Sequence, residues 1–127
     1  MAKYSFLKGQ DQSNDLPLIY MPSNNLSAEA NYQIPKLGKF QKNAFSVNGK
    51  YVFKQNNLLA SQDFVAAPDA YFLLDLKFST EIQLKKLRLK LHLRGENVLN
   101  TSYRDYLNRQ RYFADDQGFN IIFGINL

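Results

Sequence analysis

The sequence predicts an all-β chain that folds as a six-stranded antiparallel up-and-down meander. Apolar and polar residues alternate along several segments, which is the period of a strand with one apolar and one polar face. The intervening segments are rich in Asn, Asp, Gln, Gly, Pro and Ser, which favour turns and loops. These connections alternate between long and short along the chain. Short turns are therefore expected at one end of the meander and long loops at the other.

The clearest strand pattern lies between Leu87 and Arg94, where apolar residues alternate with charged residues and one histidine. The same alternation marks five further segments. Long loops, residues 9–25, 55–70 and 98–118, follow the first, third and fifth strands, and short turns follow the second and fourth. The predicted strands are residues 2–8, 26–34, 43–54, 71–79, 84–97 and 119–127.

Composition excludes several functional classes. The 127 residues, 45% hydrophobic, are enough for one structural unit, residues 1–127. Their 16 basic and 11 acidic residues give a net charge of +5, which suits nucleic acid, acidic lipid or an anionic substrate. The absence of cysteine excludes disulfides and thiolate sites. Residues 1–8 lack the apolar run of a signal peptide, and no segment has the length of a transmembrane helix.

Catalytic and metal-binding patterns are weak. Asp115 and Asp116 are adjacent acids, but no histidine or phosphate-cradling glycine loop lies near them in the sequence. His92 is the single histidine, which disfavours a histidine metal cluster. The sequence therefore predicts no enzyme, no cofactor and no metal site. Calcium binding through Asp11, Asp15, Asp115 or Asp116 stays open as a weaker alternative.

The two predicted sheet faces differ in chemistry. One face consists of Ala, Leu, Ile, Val, Phe and Tyr, with aromatic residues near the strand ends, as expected of a surface against a bilayer. The other face has seven basic and two acidic residues, and we expect it to meet water or acidic partners. These charged residues and the histidine are Lys3, Glu29, Lys50, Lys54, Asp75, Lys77, Arg88, Lys90, His92 and Arg94.

Three stretches of the sequence resemble TonB-dependent outer-membrane receptors. Residues 97–103, NVLNTSY, closely resemble the N-L-F/L-N-x-x-Y stretch that follows the penultimate strand of these receptors. Residues 104–118 are similar to their last extracellular loop, although Phe119 stands where the family often has Arg. Residues 17–26, PLIYMPSNNL, are similar to the family's P-L-x-x-I/M-P-x-x-R/N-L approach to a strand. The resemblance spans nearly the whole chain.

The resemblance implies the end of a transport barrel. The family fold is a transmembrane barrel of about 22 strands plugged by an N-terminal domain. This chain would supply the last six strands without the plug, fewer than the roughly eight of the smallest bacterial membrane barrels. The expected function is uptake of a siderophore, cobalamin or glycan across a Gram-negative-type outer membrane. The implied partners are outer-membrane lipid, the remaining barrel strands and plug, TonB through the plug, and a second copy of the isolated fragment; nucleic acid is not expected.

The resemblance also assigns roles to three groups of residues. The lumen-facing or plug-facing residues are Lys50, Lys77, Arg88, Lys90, His92 and Arg94. The candidate ligand-binding residues of the last loop are Tyr103, Arg104, Tyr106, Arg109, Arg111 and Tyr112, which could stack on and charge-pair with a ligand or instead pack the loop onto its neighbours. The barrel-insertion signal is Phe119, Phe123 and Leu127, where Leu127 departs from the terminal aromatic residue usual in the family.

Two other functional classes remain open. One is a stand-alone soluble or self-associating β-sheet protein whose apolar face is covered by a second copy. The other is a β-barrel that binds single-stranded nucleic acid through basic residues interleaved with aromatic ones. The nucleic-acid alternative requires both residue types on one face. The alternation instead places Tyr51 and Phe72 on one face and Lys50 and Lys77 on the other.

Overall fold

The computed structural model describes residues 1–11, 16–18, 20–56, 63, 65–85 and 87–127. Six strands form one antiparallel sheet in the order β1-β4-β5-β6-β7-β8, and β2 and β3 form a separate two-stranded ladder. The predicted all-β meander of six strands is confirmed, and the sheet is open, with β1 and β8 at its edges. The strands are β1 (Ala2–Ser5), β2 (Gln10–Asp11), β3 (Leu16–Pro17), β4 (Asn25–Ile34), β5 (Phe40–Val52), β6 (Tyr71–Leu84), β7 (Leu87–Glu96) and β8 (Asn120–Asn126).

A short 3-10 helix, Arg109–Tyr112, lies in the long loop before β8. Within the described ranges, no helix has the length and apolar composition needed to cross a membrane. The calcium candidate Asp15 lies outside the described residues, as do parts of the loops 9–25 and 55–70.

The first predicted strand, residues 2–8, was too long. β1 ends at Ser5, whose register partner is Asn25, the first residue of β4. Residues beyond Ser5 have no strand beside them to accept their backbone hydrogen bonds, so the ladder stops there. The predicted loop 9–25 contains the short ladder of β2 and β3, which is too brief to give a periodic signal.

Three other predicted boundaries were also wrong. β5 begins at Phe40 rather than 43, because a register shift near Lys42, with φ 49°, interrupts the alternation that sequence reading relies on. β6 continues to Leu84 rather than 79, and β7 begins at Leu87 rather than 84. Leu84 pairs with Leu87 across a tight turn in which Lys85 has φ 50°, so the ladder extends to the end of the hairpin.

The strand register gives the sheet one apolar face. Residues directly opposite one another in an antiparallel pair lie on the same face. Two rows of aromatic and aliphatic side chains therefore cross the sheet. One row is Tyr4, Leu26, Tyr51 and Phe72, and the other is Tyr32, Phe45, Phe78, Leu93 and Phe123.

The apolar face is not covered by any described part of the chain. Tyr32 is 65% exposed and Phe123 is 62% exposed, and Phe45, Phe72 and Phe78 are exposed as well. The buried apolar residues among those described are Val52, Tyr71 and Tyr106, all at the loop end of the sheet or in the last loop. The sheet thus presents an extended apolar surface of a kind that isolated soluble proteins rarely leave open.

A buried polar pair fixes the short-turn end of the sheet. The Thr80 hydroxyl donates to Asn43 Oδ1 at 2.6 Å, and Asn43 Nδ2 donates to the carbonyl of Pro35 at 3.0 Å. Asn43 is 2% exposed and Thr80 4% exposed, so neither side chain can exchange these bonds for water. The pair joins β5, β6 and the turn after β4 next to the register shift.

Replacing Asn43 with Ala should therefore weaken the sheet. Because the Pro35 carbonyl and the Thr80 hydroxyl lose their partner, we expect a loss of about 1–3 kcal/mol in the free energy of unfolding. Urea titration in detergent micelles measures it. The matched control Asn126→Ala, at an exposed position on β8, should change the free energy by less than about 0.5 kcal/mol. An equal effect of both substitutions would contradict this role of Asn43.

Candidate functional site

The long loops meet at one end of the sheet, on its polar side. Phe72 is on the apolar face, so its neighbour Tyr71 points to the other side, where it is buried together with Val52. Side chains from the three long loops and from the start of β6 make contacts there. This loop cluster comprises Tyr20, Asp63, Tyr71, Tyr103, Asp105, Tyr106, Arg111 and Tyr112.

Arg111 is the central charged residue of the loop cluster. Its side chain is 3% exposed and forms an ion pair with Asp63, which is 8% exposed and lies in the loop before β6. The guanidinium carbon is 4.8 Å from the ring centroid of Tyr106 and 4.5 Å from that of Tyr112. Buried cations require such a carboxylate and aromatic faces to offset lost hydration. Arg111 therefore ties two loops together.

Tyr112 strengthens the same link. Its hydroxyl donates to Asp63 Oδ1 at 2.8 Å. This hydrogen bond is the largest reason that the pKa of Tyr112 rises from 10.0 to about 12, followed by burial and a hydrogen bond with Tyr20. The raised pKa means that the phenol stays protonated and the link stays intact below about pH 10; the stabilisation it gives is lost as the pH rises through about 12.

The loop before β4 joins the cluster through Tyr20. Its ring stacks on the ring of Tyr106 at a centroid distance of 6.3 Å. The Tyr20 backbone N–H donates to the Tyr106 hydroxyl at 3.4 Å. All three long loops thus contact one another through side chains of the last loop, residues 98–118.

Tyr71 and Tyr103 attach the last loop to the sheet. Their ring centroids are 4.6 Å apart, and the Tyr71 hydroxyl donates to Asp105 Oδ2 at 2.8 Å. Partial burial is the main cause that raises the pKa of Tyr103, with the negative charge of Asp116 next. Asp116 in turn accepts from the Asp105 N–H at 2.7 Å and from Asn108 Nδ2 at 2.7 Å.

The acids of the last loop are occupied by protein donors. Asp115 accepts from the Ser102 hydroxyl at 2.5 Å and from Arg104 Nε at 2.6 Å, and these two contacts, Ser102 first, lower its pKa. Arg104 also donates to the Arg111 carbonyl at 2.9 Å. The described part of the chain contains no group of three or more His, Cys, Asp or Glu residues able to hold a metal ion. Asp115 and Asp116 therefore have hydrogen-bond partners inside the last loop and help to hold its shape.

The NVLNTSY stretch owes its pattern to backbone geometry. Asn97 and Asn100 have positive φ angles, 47° and 50°, which Asn tolerates better than most residues. Asn97 Oδ1 accepts from the Thr101 N–H at 2.9 Å, and Asn100 Oδ1 accepts from the Phe119 N–H at 2.9 Å. A Cβ on Gly118 would lie 2.7 Å from Asn100 Oδ1. These residues shape the exit from β7 and the entry into β8.

The six candidate ligand-binding residues fall into two groups. Tyr106 and Arg111 are buried, and Tyr103 and Tyr112 are half-buried with partners inside the loop cluster. Arg104 is exposed but paired with Asp115. Arg109 is exposed, and its side chain has no hydrogen bond or ion pair among the described residues. The structure thus uses five of the six for loop packing, the alternative that the sequence left open, and leaves Arg109 accessible.

Two further accessible apolar residues lie next to Arg109: Phe113, an aromatic residue of the last loop that the sequence pairs with its arginines as able to stack on a ligand, and Leu107, which sequence analysis overlooked. Phe113 is 87% exposed and Leu107 is 45% exposed, on either side of the 3-10 helix. Asn108 caps this helix by accepting from the Gln110 N–H at 3.0 Å. Asn is a common helix-capping residue, so Asn108 was the sequence signal that could have predicted this short helix. The tip of the last loop is therefore an apolar and cationic surface on an ordered base.

The predicted lumen-facing residues share the polar face, as their register shows. Lys77 is opposite Arg94, His92 is opposite Ser79, and Lys90 is opposite Glu81. Lys50 is opposite Ser27 on β4, and Arg88 is opposite Gln83 on β6. The polar face thus brings together Lys50, Lys77, Arg88, Lys90, His92 and Arg94.

The acids of this face neutralise only part of its basic charge. Arg94 contacts Glu96 at 2.9 Å and Asp75 at 3.8 Å, and Lys90 contacts Glu81 at 3.9 Å. Lys50 and Lys77 form no ion pair with any described residue. A polar pocket of about 150 Å³ lies at the centre, lined by Glu29, Ser46, Asn48, Asp75, Lys77 and Arg94. Lys50 and Lys77 therefore leave positive charge on this face that no described acid neutralises.

His92 lies against a glycine. A Cβ built on Gly124 would be 2.1 Å from His92 Nε2, so the missing side chain makes room for the imidazole ring. This contact gives His92 a packing role on the polar face.

The residues assigned to the insertion signal lie on or beside the exposed edge strand. Phe123 pairs with Leu93 on the apolar face. Phe119 and Leu127 lie just before and just after β8, each an even number of residues from Phe123 in the alternating pattern. All three are exposed.

Asp63→Asn should loosen the last loop, because it leaves the Arg111 charge buried without a carboxylate. Loss of one partner of a buried ion pair costs about 3–5 kcal/mol. Hydrogen exchange at the backbone amides of residues 105–112 measures the local opening free energy. The control Asp69→Asn, whose side chain is 90% exposed in its ion pair with Lys54, should leave exchange unchanged. Unchanged exchange in Asp63→Asn would contradict the anchoring role of Arg111.

Comparison of the chain with protein-family models, with curated proteins and with solved structures finds no match.

Proposed function

We propose that this chain forms the C-terminal strands of a TonB-dependent outer-membrane receptor that takes up a siderophore, a cobalamin or a glycan. The observation that carries the proposal is the uncovered apolar face of a six-stranded antiparallel meander whose opposite face is basic. Lipid against one face and water against the other satisfy both surfaces at once. The resemblance of residues 97–118 to the receptors' last extracellular loop supports the same assignment.

The open edges of the sheet support its membership of a larger barrel. β1 and β8 each have one strand neighbour within the described sheet. In a bilayer, unpaired backbone N–H and C=O groups are costly, so a membrane sheet closes on itself. Further strands of the same receptor would pair with both edges and complete a closed wall around a lumen.

The loop arrangement suits a ligand entrance. The long loops lie together at one end, and the loop cluster holds the last of them against the other two through Arg111, Tyr106 and Tyr112. The tip with Arg109 and Phe113 faces solvent on this ordered base. In the proposed receptor, this end is extracellular, and the tip contributes to ligand capture while the loop cluster fixes its position.

The polar face suits a lumen wall. Lys50 and Lys77 lack ion-pair partners among the described residues, and Arg94 and Lys90 share acids of the same face. In the proposed receptor, a plug domain or an anionic ligand supplies the missing negative charge. TonB acts through that plug, and transport proceeds by binding and conformational change without a covalent step on this chain.

The nucleic-acid alternative is less well supported. A stacking platform needs aromatic rings beside the cations. The register places Tyr51 and Phe72 in one row of the apolar face, whereas Lys50 and Lys77 lie on the other side of the sheet. The phosphate-binding and base-stacking surfaces would therefore be separated by the thickness of the sheet.

An antibody raised against residues 103–116 tests the proposal. The epitope includes the exposed residues Leu107, Arg109 and Phe113. Blots of native outer-membrane and soluble fractions should show a band several times larger than this 14.7 kDa chain, in the outer membrane, with a mobility that changes on boiling. The antibody should also label intact cells, because the loop end is expected to face outward.

A band of the chain's own size in the soluble fraction would contradict the receptor proposal. That result would favour the self-associating β-sheet protein, because the apolar face would then need a protein cover. An antibody against a periplasmic protein serves as the control for cell integrity.

A further inference from the structure

The two edges of the sheet are differently protected against pairing. β1 has 4 residues and includes Lys3, and short charged edges resist the addition of a further strand. β8 has 7 residues, NIIFGIN, with no charge and no proline, and its outer edge is open in the described sheet. An uncharged edge of this length is a template for an added strand. β8 is therefore the edge at which this chain is expected to take a partner.

The sequence of β8 is nearly symmetric about its centre. Reading outward from Phe123, the strand has Ile122 and Gly124, then Ile121 and Ile125, and finally Asn at both ends. An antiparallel pair reverses one strand relative to the other, so a symmetric strand is complementary to itself. The side chains required on a partner strand are already present on a second copy.

We propose that β8 pairs antiparallel with β8 of a second copy of this chain, with the two-fold axis between the two Phe123 residues. The two six-stranded sheets then join into one continuous sheet with a continuous apolar face. The proposal goes beyond the receptor assignment. In a complete receptor barrel another strand would occupy the same edge, so self-pairing is a property of the chain when that strand is missing.

This register matches side chains on both faces. On the apolar face, Phe123 meets Phe123 of the second copy, and Ile121 meets Ile125, pairs of the aromatic and β-branched type that stabilise sheets. On the polar face, Ile122 falls beside Gly124 of the second copy, which has no side chain to compete with it. A register shifted by one residue would turn one copy over relative to the other. Ile122 would then lie on the apolar side of the second copy, and the apolar residues next to Ile122 would lie on its polar side.

Single-cysteine variants test the register, since the natural chain contains no cysteine. In the proposed pair, the Cα atoms of the two residues 123 are about 4.5–5.5 Å apart, within the range of about 4.4–6.8 Å that a disulfide spans. Phe123→Cys, purified in an excess of detergent micelles and oxidised, should form a covalent dimer. Ile121→Cys alone should not, because its two copies lie roughly 14 Å apart along the strands.

A mixture of Ile121→Cys and Ile125→Cys chains should form the mixed dimer, which tests the same register without changing Phe123. The matched control is Phe78→Cys, in the same row of the apolar face but on the interior strand β6. It should remain monomeric. Failure of both Phe123→Cys and the mixture to cross-link would overturn the proposal, as would dimers of Ile121→Cys alone.

Equal cross-linking of Phe78→Cys would also overturn it, because the copies would then associate through their faces. These outcomes are independent of the blot of native membranes. A large outer-membrane band with no Phe123→Cys dimer leaves the receptor proposal intact and rejects self-pairing. A soluble band of the chain's own size with a Phe123→Cys dimer rejects the receptor proposal and supports self-pairing.

Discussion

The difference between the two faces of the sheet determines most of this structure. The antiparallel register places a row of large apolar side chains on one face of the sheet, from Tyr32 through Phe45 and Phe78 to Phe123. No described element covers that side, so burial of apolar surface, the main favourable contribution to folding, must come from outside the sheet. A bilayer or another protein surface is needed for the sheet to be stable. The uncovered apolar face is thus the structural feature from which the functional proposal follows.

The loop end obtains its stability in a different way. Here the chain makes its own small core, in which Arg111 lies between Tyr106 and Tyr112 and is neutralised by Asp63. Charge-assisted and aromatic contacts replace the aliphatic packing of an ordinary domain. Most of the polar and aromatic residues of the last loop are used in this core. Arg109 and Phe113 at the tip remain accessible, and in the proposed receptor they are the residues of this loop left to contact a ligand.

Sequence reading recovered the elements that depend on local alternation and lost those that depend on distant partners. The unbroken pattern between Leu87 and Arg94 gave β7 nearly in full. The start of β5 was missed because the register shift near Lys42 depends on the pairing of β5 with β6. The Arg111 pair with Asp63 links residues 48 positions apart, which no local pattern records.

The proposed function requires lipid chains to cover the apolar face. The chain contains no tryptophan, so a single Trp reports one position in bilayers whose acyl chains carry bromine, a contact quencher. Phe78→Trp places the reporter on the apolar face, and Ser79→Trp places it one residue further along β6, on the polar face. The account predicts strong quenching of Phe78→Trp fluorescence and little quenching of Ser79→Trp. Equal quenching of both, or stronger quenching of Ser79→Trp, would contradict it.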